Sequence, residues 1–150
     1  MVPTSTRALS DPRSLQKRVQ LADFSIDVAG EDLCKGRVVV RWDPDKEFVG
    51  VSESDGSTRG QLRCAAEATA MALQEASGGK VSLEVLAVKA VEGFDTVIVV
   101  VSLASRADGV AERLVGSCLI QGQSTRGAVL AVLSATNRLF GKVVQGTAAN

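Results

Sequence analysis

A short segment that occurs twice is the feature that most restricts how this chain can fold. Ser57-Thr58-Arg59-Gly60 recurs as Ser124-Thr125-Arg126-Gly127, an offset of 67 because 126 minus 59 is 67. Further along, the same offset pairs residues with the i, i+3, i+4, i+7, i+11 spacing of one helical face. These pairs are Leu62 with Val129, Ala65 with Val132, Ala66 with Leu133, Thr69 with Thr136 and Leu73 with Phe140. Upstream, Phe48-Val49-Gly50 corresponds to Leu114-Val115-Gly116 at an offset of 66. The chain is therefore predicted to contain one structural unit twice.

Each copy of the segment follows three stretches with the patterns of β-strands. Alternating or Val-rich apolar stretches predict strands at 18–28, 37–42, 47–51, 94–103 and 112–120, and a further strand that begins at 80–83. Asp43-Pro44-Asp45-Lys46 predicts the turn between the second and third strands. A helix is predicted from about Gly60 to Ser77, stopped by the pair Gly78-Gly79, and a second helix follows Gly127.

These elements predict an α+β fold. Two tandem βββα units, 18–79 and 80–143, would form one domain about a pseudo-twofold axis, with the helices packed on antiparallel or mixed sheet. Residues 1–17 are predicted to be a flexible N-terminal arm and 144–150 a C-terminal tail. Val38–Val40 and Val97–Val101 are apolar on both faces, whereas a helix layer covers only one face of a sheet. The other face is then covered either by the sheet or helix of the sister repeat or by another subunit, and we expect a homodimer.

Composition excludes several functional classes. The chain has 17 basic and 17 acidic residues, four Phe, one Trp and no Tyr, so nucleic acid is disfavoured as a partner. It has no His, which removes His-activated nucleophiles and imidazole metal ligands, and we expect no enzymatic activity, cofactor or metal. The three Cys, at 34, 64 and 118, lack any C-x-x-C spacing and are predicted to be reduced thiols. Without a membrane-length apolar run or a signal peptide, a cytoplasmic location is expected.

The paired segments are the best candidates for a binding site, because each lies where a helix begins and its first N–H groups are free. An Arg at a helix N-terminus opposes the helix dipole unless an anion lies between them. Alternatively, the Ser or Thr is an ordinary N-cap, and the Arg is solvated or, in the first copy, paired with Asp55. The candidate ligand-binding residues are Ser57, Thr58, Arg59, Gly122, Ser124, Thr125 and Arg126.

Other reactive side chains have simpler explanations. Asp43, Asp45 and Glu47 could form an acid-base or metal cluster, but Asp-Pro-Asp-Lys is also a standard hairpin connection. Cys64 and Cys118 have no neighbouring base in the sequence to lower the pKa of a thiol, so a nucleophilic role is disfavoured.

Three further segments carry a resemblance to a known family. They are the strand entry Leu86-Ala87-Val88-Lys89-Ala90-Val91-Glu92-Gly93-Phe94-Asp95, the loop from Gly116 to Ser124, and the helix end Ser134-Ala135-Thr136-Asn137-Arg138-Leu139. Over about residues 18–143 the chain resembles the C-terminal regulatory domain of 2-isopropylmalate synthase and citramalate synthase. That resemblance implies two βββα units and an amino-acid or related effector bound near a dimer interface, at loops that map to Gly50–Gly60 and Gly116–Gly127. The catalytic barrel of those enzymes is missing, so no synthase activity is implied.

The sequence thus favours a non-catalytic sensing or regulatory domain that dimerises and binds a small anionic or amino-acid-like ligand at the loop-helix junctions. The alternative is a structural module for protein-protein interaction or assembly, without a small-molecule ligand. An RNA-binding domain is disfavoured by the neutral charge and the scarcity of aromatic residues.

Overall fold

The computed structural model describes residues 18–43 and 46–149, with Asp43 and 141–149 described in their backbone only. The predicted arm at 1–17 lies outside the described residues, as do Pro44 and Asp45 of the predicted turn. The elements follow one another as β1 Gln20–Ala29, β2 Leu33–Asp43, β3 Lys46–Ser54, α1 Thr58–Ala76, β4 Val81–Gly93, β5 Thr96–Ala107, β6 Val110–Ile120 and α2 Ser124–Ala149.

The predicted α+β fold of two βββα units is confirmed. The first sheet has the order β1-β2-β3 and the second sheet the order β4-β5-β6, and both are antiparallel throughout. The predicted start of the fifth strand at Phe94 is wrong, because Phe94 and Asp95 form the β4–β5 turn and both have positive φ. In addition, α2 continues to Ala149, through the residues predicted to be a tail.

Both sheets contain a β-bulge at the equivalent place. Ala22 interrupts the pairing of β1 with β2, and Leu86 interrupts the pairing of β4 with β5. In each sheet the unpaired residue lies opposite the same step of the central strand, which is Val39 to Val40 in the first and Ser102 to Leu103 in the second. A bulge fixes the local twist and register of a strand. Its repetition shows that the two sheets are copies in three dimensions.

The two helices contact their sheets through equivalent glycines, and these contacts correct the sequence alignment. A Cβ on Gly50 would lie 2.0 Å from the Ala68 carbonyl oxygen, and a Cβ on Gly116 would lie 2.2 Å from the Ala131 carbonyl oxygen. The glycines are 66 residues apart (116 minus 50), but the alanines are only 63 apart (131 minus 68). The sequence offset of 67 therefore misplaces the second helix by four residues, about one helical turn.

The predicted pairing of Leu73 with Phe140 across the helices is thus wrong. At the structural offset of 63, Leu73 corresponds to Thr136, and both are fully buried. Relative to α2, which begins at Ser124, α1 has an additional first turn that consists of Thr58–Gly60.

The core lies between the inner faces of the sheets and the helices, and α1 also closes the free edge of β4. The largest fully buried side chains include Phe140, Leu73, Leu103, Val38 and Val40. Arg63 Nη2 donates to the Val85 carbonyl at 2.9 Å, and the Leu83 N–H donates to Gln74 Oε1 at 2.8 Å. Because α1 belongs to the first unit and β4 to the second, these bonds join the two units and satisfy edge groups that would otherwise be unpaired.

Candidate functional site

The junction before α1 is satisfied by its own residues. The Ser57 hydroxyl caps the helix by accepting from the Gly60 N–H at 3.0 Å. The Asp55 carboxylate accepts from the Ser57 N–H at 2.9 Å and from the Ser57 hydroxyl, and these bonds hold the pKa of Asp55 below its usual value. Gln61 Nε2 donates to the Gly56 carbonyl at 2.9 Å. The prediction that this Ser could serve as an N-cap is confirmed.

Arg59 lies in the additional first turn of α1 and is exposed, as is Thr58. None of the ion pairs of the described residues joins Arg59 to Asp55. The structure therefore brings Ser57 together with Asp55, but it leaves Thr58 and Arg59 on the surface. A ligand role for these residues stays a prediction.

The junction before α2 is more open. The Gly127 N–H bonds to the Gln123 carbonyl at 3.3 Å. Within the described chain, no capping side chain forms a hydrogen bond to the first N–H groups of α2. A cavity of about 220 Å³ lies beside this helix start, and it is lined by Cys118, Leu119, Ile120, Gln121, Gly122, Gln123, Arg126, Gly127 and Leu130. Of the predicted site residues, the structure brings Gly122 and Arg126 together at this cavity, whereas Ser124 and Thr125 do not line it.

The equivalent place in the first unit is filled by a carboxylate. By the offset of 63, Arg126 corresponds to Arg63 and Leu130 to Glu67. Glu67 accepts from Arg63 Nε at 3.1 Å and from the Ser52 hydroxyl at 3.3 Å. Ser52 in turn corresponds to Cys118, since Ser52 pairs with Gly36 two residues before Val38, and Cys118 pairs with Val99 two residues before Val101.

All three counterparts of this network line the cavity of the second unit. Leu130 takes the place of the carboxylate, so Arg126 lacks the partner that Arg63 has. Among the hydrogen bonds and ion pairs of the described residues, none involves the Arg126 guanidinium. The cavity therefore contains an exposed, unpaired cation next to the position at which the sister unit holds a carboxylate.

Arg126 was predicted as a site residue, but the repeated segment pairs it with Arg59, whereas its structural counterpart is Arg63. The Arg63–Glu67 pair has the i, i+4 spacing of a helical ion pair and is visible in the sequence. Its relation to Arg126 and Leu130 is hidden, because the repeated Ser-Thr-Arg-Gly segment aligns Arg126 with Arg59 instead.

Two further cavities were not predicted. One of about 370 Å³ lies between β6 and α2, where Arg113 and Arg138 are both part of the lining. The other, of about 540 Å³, surrounds the β4–β5 turn at Phe94 and Asp95. Neither contains a predicted site residue. The lining of the first comes from two distant stretches of the chain, 112–115 and 134–139, whereas that of the second is the continuous segment 92–97.

Of the carboxylates around the β2–β3 turn, Glu47 forms an ion pair, in which its Oε2 accepts from Arg41 Nη2 at 2.8 Å. The backbone of Asp43 pairs with that of Lys46 in the strand register. Asp45 lies outside the described residues. In the described parts of the chain, no group of three or more His, Cys, Asp or Glu could hold a metal ion. None of the helices described is both long and apolar enough to cross a membrane.

The three cysteines differ in their access to solvent. Cys34 and Cys64 are buried, whereas Cys118 is partly exposed. Burial, together with a hydrogen bond to the Cys34 thiol, raises the pKa of Cys64 to about 12. Its thiol donates to the Ser52 carbonyl at 3.3 Å.

A thiol-reactive disulfide reagent is expected to modify one cysteine of the native protein rapidly, because only the thiolate reacts and two thiols are buried. That cysteine should be Cys118. Stopped-flow absorbance should show one fast equivalent in buffer and three in denaturant, and Cys118→Ser should remove the fast phase. Three equally fast equivalents in buffer would contradict the burial of Cys34 on β2 and of Cys64 on α1.

No protein-family model matches this chain, and no curated protein matches its sequence.

Proposed function

We propose that this chain is a non-catalytic ligand-binding domain, and that the cavity before α2 binds a small carboxylate. The unpaired Arg126 carries the proposal, because the equivalent arginine of the first unit is bound to the Glu67 carboxylate. A ligand carboxylate would supply to Arg126 the negative charge that Glu67 supplies to Arg63, and that Leu130 cannot supply. Charge-assisted hydrogen bonds between guanidinium and carboxylate are about twice as strong as neutral ones.

The start of α2 favours the same charge. The first N–H groups of a helix and its dipole together attract anions. Gly122 contributes space at the rim, since a Cβ placed on it would meet no atom within 4 Å. The Arg126 guanidinium and the N-terminus of α2 therefore both favour an anion at this end of the helix.

The cavity also limits the rest of the ligand. Its volume of about 220 Å³ is below the roughly 300 Å³ at which sites for drug-sized molecules begin. Leu119, Ile120 and Leu130 supply apolar surface, while Gln121 and Gln123 supply amide groups. A short carboxylate with an apolar substituent, such as an amino acid or a keto acid, matches this lining.

A thermal-shift screen of amino acids, keto acids and short carboxylates tests the proposal, with the matching amides as uncharged controls. Bound at about 100 times its Kd, a ligand stabilises the folded state by roughly 2.7 kcal/mol, which for a domain of this size raises Tm by about 5–10 °C. The amide of the same compound should give no shift.

Two variants assign any shift to this cavity. Arg126→Ala should abolish it, and Leu130→Glu should abolish it by providing an internal carboxylate equivalent to that of Glu67. Arg59→Ala, in the additional turn of α1, separates the two helix starts, because it should keep the shift when the ligand binds before α2. The proposal fails if no carboxylate stabilises the protein, or if Arg126→Ala responds as the unaltered chain does.

An assembly module without a ligand is the second candidate, and the apolar outer face of the second sheet favours it. Val115 and Leu119 are 65% and 64% exposed on that face. A negative ligand screen together with a stable oligomer would support assembly alone.

A further inference from the structure

The outer face of the first sheet, which is the face turned away from the helices, is charged and neutralises itself. Arg41 and Glu47 form an ion pair with 2.8 Å between nitrogen and oxygen, Arg37 and Asp23 one of 3.6 Å, and Lys35 and Glu53 one of 4.0 Å. These pairs cross from the central strand to both neighbours. Such a face is suited to water and needs no partner.

The outer face of the second sheet is apolar at the equivalent positions. On the central strands, Val38 pairs with Gly50 and Val101 with Gly116, so that these residues correspond. Counting outward from them, the equivalents of Lys35, Arg37 and Arg41 are Ile98, Val100 and Ala104. On the flanking strands, Val91, Val115 and Leu119 are 47%, 65% and 64% exposed. The outer face of the first sheet thus carries three ion pairs beside the exposed Val49 and Val51. The outer face of the second sheet is mostly apolar, with Lys89 beside Val100 in its central row, and an exposed apolar face of this kind marks an interaction site.

Two charges on this face, Glu84 and Arg113, are arranged for a second copy of the same face. Glu84, Ala104 and Arg113 lie in one row across β4, β5 and β6. Neither Glu84 nor Arg113 forms an ion pair within the described chain. A twofold axis parallel to β5 lays β4 of each copy over β6 of the other. Glu84 then faces Arg113 of the partner subunit, and the symmetry produces this ion pair twice.

The neighbouring rows are compatible with the same axis. Val91 shares a row with Leu119, and Ala87 shares one with Val115, so the flanking strands of both rows bring apolar residues together. The row between them contains Lys89, Val100 and Ser117, and the axis places the Lys89 ammonium opposite the Ser117 hydroxyl of the partner subunit. Arg106 lies on the central strand, so the axis places it opposite its own copy. Among the described residues of this face, it is the one that approaches a like charge. It stands at the end of the face, where the crossing of packed sheets at about 30° separates the strands.

The size of the face is sufficient for a modest dimer. Its strands contain 13, 12 and 11 residues. At about 3.3 Å per residue and about 4.8 Å between strands, the face covers roughly 500 Å² per copy. Two copies bury roughly 1,000 Å², which is the lower limit for a specific interface.

We propose that a second copy of this chain packs on the outer face of the second sheet, about a twofold axis parallel to β5, with Glu84 and Arg113 paired across the interface. The face adjoins the ligand cavity at Leu119, but the test of the dimer uses no ligand.

Sedimentation velocity of the full chain over a wide concentration range tests the proposal. The unaltered chain should dimerise reversibly. Val100→Glu, which buries a charge at the centre of the interface, should make the protein monomeric at all concentrations. Val51→Glu, on the outer face of the first sheet, is the matched control and should dimerise normally. Circular dichroism verifies that both variants are folded.

Charge exchange tests the orientation. Glu84→Arg and Arg113→Glu should each weaken the dimer roughly tenfold, because each brings like charges together. The double variant should recover to within roughly threefold of the original Kd, because the pair is restored in reverse. A chain that is monomeric throughout, a dimer that tolerates Val100→Glu, or a double variant no better than the single ones would overturn the proposal.

Discussion

Replacing Gly50 with alanine should destabilise the domain by about 3 kcal/mol or more, although it adds only one methyl group. The new Cβ would lie 2.0 Å from the Ala68 carbonyl oxygen and 2.4 Å from the Ala72 backbone nitrogen. Both atoms belong to the backbone of α1, so no side-chain rotation can relieve the overlap. The helix must move away from β3 and loosen its packing on the sheet. Thermal denaturation should show a Tm lower by roughly 10 °C or more.

Gly93→Ala is the matched control for this substitution. Gly93 is also a strand glycine, but a Cβ there would meet only the Ile98 side chain, at 3.9 Å. Its stability should therefore change little. Gly116→Ala should resemble Gly50→Ala, because its Cβ would lie 2.2 Å from the Ala131 carbonyl oxygen. If Gly50→Ala were as stable as Gly93→Ala, the close approach of α1 to β3 would be wrong.

The strands and the duplication could be predicted because their signals are local. Alternation of polar and apolar residues gave β1, and runs of Val gave the interiors of β2 and β5. The correspondence of Gly50 with Gly116 was also predicted correctly from the residues around them, and the structure explains it by the same helix contact. Where the chemistry of a turn is unusual, as at Phe94, the boundary was missed, because a bulky apolar residue is rarely found with positive φ.

The register of the helices could not be predicted in the same way. A shift of four residues rotates a helix by only about 40° at 3.6 residues per turn, so the apolar face stays almost the same. Offsets of 67 and 63 therefore both pair buried positions with buried positions. The two offsets differ in which turn of each helix lies against the sheet. The alanines that contact Gly50 and Gly116 identify that turn.

This difference of one helical turn changes which residue of the first unit corresponds to Arg126. At the sequence offset, Arg126 and Arg59 are a repeated pair of unexplained arginines. At the structural offset, Arg126 is the counterpart of Arg63, which already has a carboxylate partner in Glu67. The replacement of that carboxylate by Leu130 becomes visible only when the two units are compared in three dimensions.

Phe140→Ala should be the other substitution with a large effect, with a loss of about 3–5 kcal/mol for truncating a buried aromatic ring. Phe140 is fully buried, and its ring meets the ring of Trp42 edge to face, with 5.1 Å between centroids. Phe140 belongs to α2 of the second unit and Trp42 to β2 of the first, so this contact joins the two units. Urea denaturation monitored by circular dichroism measures the loss.

The fluorescence of Trp42, the single tryptophan of the chain, adds a local measurement. In folded Phe140→Ala the emission should shift to longer wavelength, because water can reach the indole where the ring has been removed. Phe94→Ala is the control, since Phe94 is 94% exposed and its removal should change neither stability nor emission. Unaltered Trp42 emission in Phe140→Ala, or a loss in stability no greater than that of Phe94→Ala, would show that the two units are not joined through this aromatic pair.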